Sequence, residues 1–336
     1  METRTLGRTG LRAGTLTFGC GAIGGLMVRA SEAEQREAIA TALGAGITYF
    51  DTAPFYGDGA SETNLGKALA ALKNSSALIG TKMRLPPDSS YAAADMAGAI
   101  ERSLEGSLRR LGRDCVELIQ LHHPLSAAGT RPGMTADFLL HAIAPAMQRM
   151  QQQGKVRFIG ITALGEAAEI KKVINSGVFD TAQVAFNLLN ATAGGLPTGH
   201  AGHADDYAGM LQDMQAQGVG TIGIRILAGG ALSGSTELHP IAATKSIPVG
   251  KGVGMGADFE ADAAAARRFN TLVEAGEATS LVDLSLRYGL SNPLLSTTAL
   301  GLSSLEHLKT GIASFERGPL SARALDMIAQ VQAGLG

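Results

Sequence analysis

Apolar residues along the chain fall into two patterns. Short continuous runs read as buried strands, and longer stretches with an apolar residue every third or fourth position read as helices that bury one face. After a turn at Gly7 to Gly10 that suggests an N-terminal hairpin, Thr15 to Phe18 reads as a strand and Glu32 to Leu43 as a helix. Ser31 and Glu34 stand at capping-box spacing before that helix. The alternation then repeats. Strand Ile47 to Asp51 leads to helix Glu62 to Leu72, and strand Ala77 to Thr81 leads to a helix whose stripe is Met96, Ile100, Leu104, Leu108 and Leu111. Strand Val116 to Leu121 precedes helix Asp137 to Gln152, and strand Val156 to Ile161 precedes helix Glu166 to Asn175. Three more strands, Ala182 to Ala185, Thr221 to Arg225 and Leu294 to Ala299, precede helices at Tyr207 to Gln217, within Phe259 to Tyr288, and at Leu305 to Ser314.

Eight strand–helix units in series predict an α/β protein with a closed (β/α)8 TIM barrel, an N-terminal hairpin and a further C-terminal helix near Arg323 to Gln332. Such barrels run to about 250 residues, so one domain over residues 1–336 accommodates the chain with its loops. Composition agrees with a large core: 45% of residues are hydrophobic and 17% charged. The net charge of -2 comes without a cationic block, which argues against nucleic acid and a polybasic membrane anchor and favours small-molecule partners. No apolar run reaches the ~18 residues of a membrane span. Two cysteines, Cys20 and Cys115, and a start with no apolar leader make the cytoplasm the expected location. Oligomeric state is not encoded in any of these patterns.

Gly19-Cys20-Gly21-Ala22-Ile23-Gly24 matches the G-x-G-x-x-G turn of dinucleotide-binding Rossmann folds. In that fold the glycines open the helix that holds the pyrophosphate, whereas Ser31 puts the helix start here several residues later. A tight turn at a barrel mouth is the expected role.

Chemistry gathers at the C-terminal ends of three successive strands, the face on which barrel enzymes build their sites. Asp51 and Tyr56 lie in Phe-Asp-Thr-Ala-Pro-Phe-Tyr-Gly, Lys82 in Ile-Gly-Thr-Lys, and His122 in Ile-Gln-Leu-His-His-Pro. A tyrosine with a pKa near ~10 is a poor acid at neutral pH, but a neighbouring cation lowers it by about 1 to 3 units. Lys82 is the expected cation, Asp51 its anchor, and His122 a hydrogen-bond donor to a carbonyl oxygen that gains negative charge. The set suits carbonyl reduction.

With these four residues, Gly154-Lys155-Val156-Arg157, Ile159-Gly160-Ile161-Thr162, Gln183, Phe186-Asn187 and Leu227-Ala228-Gly229-Gly230-Ala231-Leu232-Ser233-Gly234 occur in order. On these landmarks the sequence resembles the aldo-keto reductase family from Arg4 to the last helix. The resemblance implies hydride transfer between NADP(H) or NAD(H) and a small-molecule carbonyl or alcohol, with Tyr56 as general acid or base. It also implies that Thr162 and Gln183 hold the nicotinamide carboxamide, that Phe186 stacks on the ring, and that Gly21, Arg225, Leu227, Gly301, Ser303 and His307 contact the cofactor. Three positions depart from the family pattern. Ala163 replaces a usual asparagine, Phe186 a common tyrosine, and Arg225 an often-seen serine. Loss of one amide contact at Ala163 is expected to cost about 0.5 to 1.5 kcal/mol of cofactor binding. After the eighth strand no cation precedes Lys309, so NAD and NADP are expected to bind within roughly a hundredfold of each other.

Two other readings share these residues. One is a cofactor-sensing binding module resembling channel-associated β subunits; the other is an aldose or pyridoxal-type dehydrogenase working oxidatively, suggested by Ser61-Glu62 after the tyrosine motif. His200, His203, Asp205 and Asp206 lack metal-site spacing and read as a substrate loop, so no metal is expected. Cys20 reads as a packing residue, and Arg109-Arg110 and Lys171-Lys172 as solvated helix faces.

Overall fold

Two short antiparallel strands, β1 (Thr3–Thr5) and β2 (Arg12–Gly14), form the expected hairpin. Eight parallel strands follow: β3 (Leu16–Gly19), β4 (Tyr49–Asp51), β5 (Leu78–Met83), β6 (Val116–Leu121), β7 (Val156–Thr162), β8 (Thr181–Ala185), β9 (Gly220–Ile224) and β10 (Thr297–Gly301). Each pairs with the next and β10 pairs with β3, which closes the barrel. This computed structural model describes residues 1–84, 93–130, 133–196, 206–235, 239–242 and 259–335.

The surrounding helices are α1 (Leu26–Arg29), α2 (Glu32–Gly44), α3 (Ala60–Ala71), α4 (Ala93–Leu111), α5 (Ala136–Phe138), α6 (Ala144–Gln152), α7 (Ala167–Asn175), α8 (Met210–Ala216), α9 (Phe259–Arg267), α10 (Asn270–Glu274), α11 (Leu281–Ser291), α12 (Leu305–Glu316) and α13 (Ala322–Ala333). Periodicity located most of them. The stripe Met96, Ile100, Leu104, Leu108 and Leu111 is buried as its spacing requires, and the Ser31 hydroxyl caps α2 by accepting from the Glu34 N–H.

Three local departures have physical causes. The helix expected at Asp137 to Gln152 is broken by a π-helical turn over Leu139–Ile143, next to Pro145, which has no N–H to donate. The last strand begins at Thr297 rather than Leu294, because Asn292 folds a turn there and its Oδ1 accepts from the Leu294 N–H at 2.9 Å. A one-turn helix that the sequence did not suggest, α1, starts at Leu26 behind left-handed Gly25, ahead of the helix that Ser31 caps. A closed barrel nevertheless leaves no open sheet for a Rossmann half.

Inside the barrel, Tyr49, Leu118 and Ile222 form a small core with Leu6, Leu11 and Ala13 of the N-terminal segment. The hairpin therefore plugs the end of the barrel opposite the catalytic face. Space in the lumen comes from glycine: a Cβ on Gly80 would lie 2.1 Å from the Tyr49 hydroxyl, and one on Gly160 would lie 2.2 Å from Thr181 Oγ1. Among the described residues no helix is long and apolar enough to cross a membrane.

Candidate active site

Parallel strands in a barrel present alternate residues to the lumen. That alternation aims Asp51 of β4, Lys82 of β5, Thr162 of β7 and Gln183 of β8 inward at the C-terminal ends of their strands. His122 follows β6 directly, with its N–H bonded to the Met83 carbonyl at 2.8 Å.

The structure brings the four expected residues together. Lys82 Nζ donates to Asp51 Oδ2 at 2.5 Å, to the Thr52 carbonyl at 3.1 Å and to the Tyr56 hydroxyl at 3.1 Å, so all three ammonium protons are used. Burial disfavours the charge on Lys82, yet Asp51 and the Tyr56 hydroxyl outweigh it and hold its pKa above the ordinary lysine value. For Tyr56 the balance falls the other way from the sequence expectation. Burial raises its pKa and Asp51 adds to the rise, so Lys82, which lowers it, leaves a phenol still above its ordinary value. The phenol stays protonated at neutral pH.

His122 is pushed down to about 3 by burial, with Lys82, Arg225, Arg84 and His123 adding positive charge around it. It is a neutral ring near pH 7. Its Nδ1 lies 2.9 Å from Thr162 Oγ1, which in turn donates to Gln183 Oε1 at 3.3 Å, and Gln183 Nε2 donates to Asp51 Oδ1 at 2.6 Å. A hydrogen-bonded string thus links His122 to the Asp51–Lys82 pair. When Thr162 instead turns its proton to Nδ1, the imidazole carries its own proton on Nε2 and becomes a donor.

Phe55 belongs to the site and was not singled out in the sequence. Its ring stacks on His122 at 5.2 Å and meets Tyr56 edge-on at 5.1 Å. The only signal was its place beside Tyr56 in the motif.

The expected cofactor residues divide. Gly21 and Gly301 sit at the mouth with open space, since a Cβ on either meets no atom within 4 Å. Packing does not require glycine there, whereas a close ligand would. Arg225 follows β9 in a left-handed conformation at φ 59°, a strained backbone of the kind that gathers at functional sites. Leu227 is half-buried beside it at the start of a 3-10 turn. Ser303 is buried, and Ser304 caps α12 by accepting from the His307 N–H at 3.2 Å. His307 is exposed, meets His239 at 5.4 Å between ring centres, and has its pKa lowered by partial desolvation of the ring and by that neighbour. Thr162 and Gln183 are buried in the hydrogen-bonded string, and Ala163 beside them is fully covered. Phe186 is only 2% exposed and lies flat against Tyr288 at 5.1 Å. To meet a nicotinamide, that ring must first be uncovered. On balance the mouth fits a nicotinamide dinucleotide, because it combines bare backbone at two glycines with buried amide and hydroxyl groups.

The pair Arg109-Arg110 is not simply a solvated face, because Arg110 Nε bonds the fully buried Glu62 at 2.6 Å. Lys171 and Lys172 also have partners, Asp213 at 2.8 Å and Glu169 at 2.5 Å. Cys20 is buried in the core, and burial raises its thiol pKa. His200, His203 and Asp205 lie outside the described residues, while Asp206 accepts from the Ala208 N–H at 2.7 Å.

Residues 15–333 match the Aldo/keto reductase family. The chain belongs to that family. As an aldo/keto reductase it is an NAD(P)-dependent oxidoreductase. It is 27% identical over 319 residues to L-galactose dehydrogenase of Arabidopsis thaliana, covering 94% of this chain and 88% of that protein. It is 26% identical over 343 residues to L-glyceraldehyde 3-phosphate reductase of Escherichia coli K12, covering 98% and 92%. In fold it is similar to an aldo-keto reductase from Bacillus halodurans in its holo form, with a TM-score of 0.71 and 23% identity over 99% of this chain and 96% of that one.

Proposed function

We propose that this aldo/keto reductase interconverts a small aldehyde or ketone and its alcohol, with Tyr56 moving the proton at the carbonyl oxygen. The observation that carries the reading is the Tyr56 hydroxyl 3.1 Å from a lysine that is itself locked 2.5 Å from Asp51. When bound, the nicotinamide supplies or accepts the hydride at the carbonyl carbon. Gly21 and Gly301 are assigned to its close approach, Thr162 and Gln183 to its carboxamide, and Ser303 with the start of α12 to its adenosine end.

In reduction Tyr56 gives its proton to the oxygen, and the fixed Lys82 ammonium stabilises the phenolate left behind. In oxidation that phenolate takes the proton back from the alcohol. His122, neutral and held by Thr162, hydrogen-bonds the same oxygen and orients it. Phe55 stacks on the imidazole and helps hold its plane. A complete, hydrogen-bonded set of this kind supports turnover over a purely cofactor-sensing role. By their names, the two relatives act on a sugar and a sugar phosphate, which makes hydroxylated aldehydes the first substrates to try.

The test is turnover of purified protein with NADPH or NADH across a panel of hydroxyaldehydes, run in both directions. Multiple turnovers are expected. Tight cofactor binding with no turnover of any carbonyl or alcohol would sink the proposal.

A further inference from the structure

Tyr56 and Lys82 come from different parts of the chain, and the connection after Tyr56 is poorly suited to fixing it. Gly57, Asp58 and Gly59 are consecutive left-handed residues, at φ 63°, 52° and 85°. Asp58 is strained in that conformation, and the two glycines around it restrict the backbone least of any residue type. Something beyond local backbone preference has to set the distance from the Tyr56 hydroxyl to Lys82.

The first turn of α3 supplies it. The Tyr56 carbonyl accepts from the Ser61 N–H at 3.2 Å. The Ser61 hydroxyl donates to the Cys20 carbonyl at 2.9 Å and lies 2.8 Å from Thr52 Oγ1, which ties the turn to the ends of β3 and β4. The next residue, Glu62, is completely buried. Its Oε1 accepts from Thr81 Oγ1 at 2.5 Å, and its Oε2 accepts from Arg110 Nε at 2.6 Å. Thr81 immediately precedes Lys82 on β5 and points to the outer face of the barrel while Lys82 points in. Arg110 reaches the carboxylate from α4 by crossing Gly59, where a Cβ would lie 2.7 Å from Arg110 Cδ.

Resting on the proposed role of Tyr56, we infer that Glu62 is a positioning residue for the Tyr56–Lys82 pair. It closes a circuit of contacts that runs from Tyr56 through Ser61 and Glu62 to Thr81, then to Lys82 and back to the Tyr56 hydroxyl. The carboxylate is costly to bury, and a well-packed apolar side chain would serve stability as well, so its directional bonds are what the site gains. Each Glu62 oxygen bonds a different element, β5 and α4, and neither bond survives rotation of α3 about its axis.

Glu62→Gln keeps the volume but turns an amide N–H₂ toward Arg110 or Thr81, and Thr81→Val removes one hydroxyl at nearly constant shape. Active sites are counted by cofactor fluorescence titration, and Tyr56→Phe is run alongside. For Glu62→Gln, kcat per site should fall at least tenfold, with cofactor Kd within threefold of wild type. Weaker contact with Lys82 should raise the Tyr56 pKa further, so the alkaline limb of the reduction profile moves up by half a pH unit or more. Thr81→Val should move the same limb the same way, and it carries the test if Glu62→Gln does not fold. An unmoved limb with kcat within twofold of wild type, even with a lower melting temperature, makes the clamp merely structural and overturns the inference. If Tyr56→Phe itself retains full turnover, the proposed function fails instead.

Discussion

The Lys82 ammonium meets Tyr56 twice, 3.1 Å from the hydroxyl and 4.9 Å from the centre of the ring. Those two distances place the cation at the oxygen end of the ring, while the ring itself packs edge-on against Phe55 at 5.1 Å, an anchor that does not depend on the hydroxyl. A side chain that keeps the ring and loses the hydroxyl should stay in place.

Tyr56→Phe is accordingly expected to lower turnover by at least ~100-fold, the low end for general acid–base catalysis, with cofactor affinity nearly unchanged. Lys82→Met should do likewise. Steady-state kinetics with direct measurement of cofactor Kd checks both, and a Tyr56→Phe enzyme keeping more than a tenth of wild-type turnover rules out the assigned proton donor.

The pH dependence follows from the two shifts. Tyr56, raised by burial, stays protonated through neutral pH, so reduction should show no Tyr56 limb there and its alkaline limb should lie above the ordinary tyrosine range, while oxidation, which needs the phenolate, should speed up as pH rises. His122 is neutral when folded but titrates near its ordinary value when unfolded. Its contribution to stability is complete above about pH 6.5 and is lost progressively as pH falls toward about 3, at roughly 1.4 kcal/mol per unit before screening. Urea unfolding of wild type and His122→Gln from pH 7 to 4.5 measures it, and parallel losses in the two proteins would contradict the assignment.

Cofactor choice turns on the start of α12. Partial desolvation and His239 lower the His307 pKa and so favour its neutral form, and the Lys309 charge is engaged by Glu306 at 2.9 Å, so no uncommitted cation stands in that first turn. NAD and NADP should bind within about a hundredfold of each other. His307→Arg should shift the preference toward NADP, more at low salt than at high. Dissociation constants for both cofactors decide it, with a thousandfold NADP preference in the wild type as the opposing result.

Two glycines should respond oppositely to alanine. At Gly160 the new methyl meets Thr181 Oγ1 at 2.2 Å inside the packed lumen, so Gly160→Ala should cost about 1 to 3 kcal/mol of stability. At Gly301 it meets nothing within 4 Å, so Gly301→Ala should leave stability within about 0.5 kcal/mol while weakening cofactor binding. Thermal unfolding and cofactor titration separate the two effects.

The barrel was readable because most strands are short apolar runs that end at or just before a glycine or polar residue, and most helices carry an apolar stripe. Asp51, Tyr56, Lys82 and His122 were readable for the same reason, since strand ends set where they emerge. What stayed hidden depends on contacts between distant segments. Nothing in Arg109-Arg110 distinguishes the exposed arginine from the one that reaches Glu62, because the choice is made by helix rotation against Gly59. The direction of the Tyr56 shift was missed because a neighbouring lysine is visible in sequence and the desolvation of the phenol is not. The cover that Tyr288 places over Phe186 joins α11 to the end of β8, a pairing no local pattern announces.

The plug formed by Leu6, Leu11 and Ala13 shuts the end of the barrel opposite the catalytic groups. Dinucleotide and carbonyl are then both left with the face that carries the C-terminal strand ends. The hairpin, at the far end of the molecule, thus decides from which side the ligands of a reaction it never touches can come.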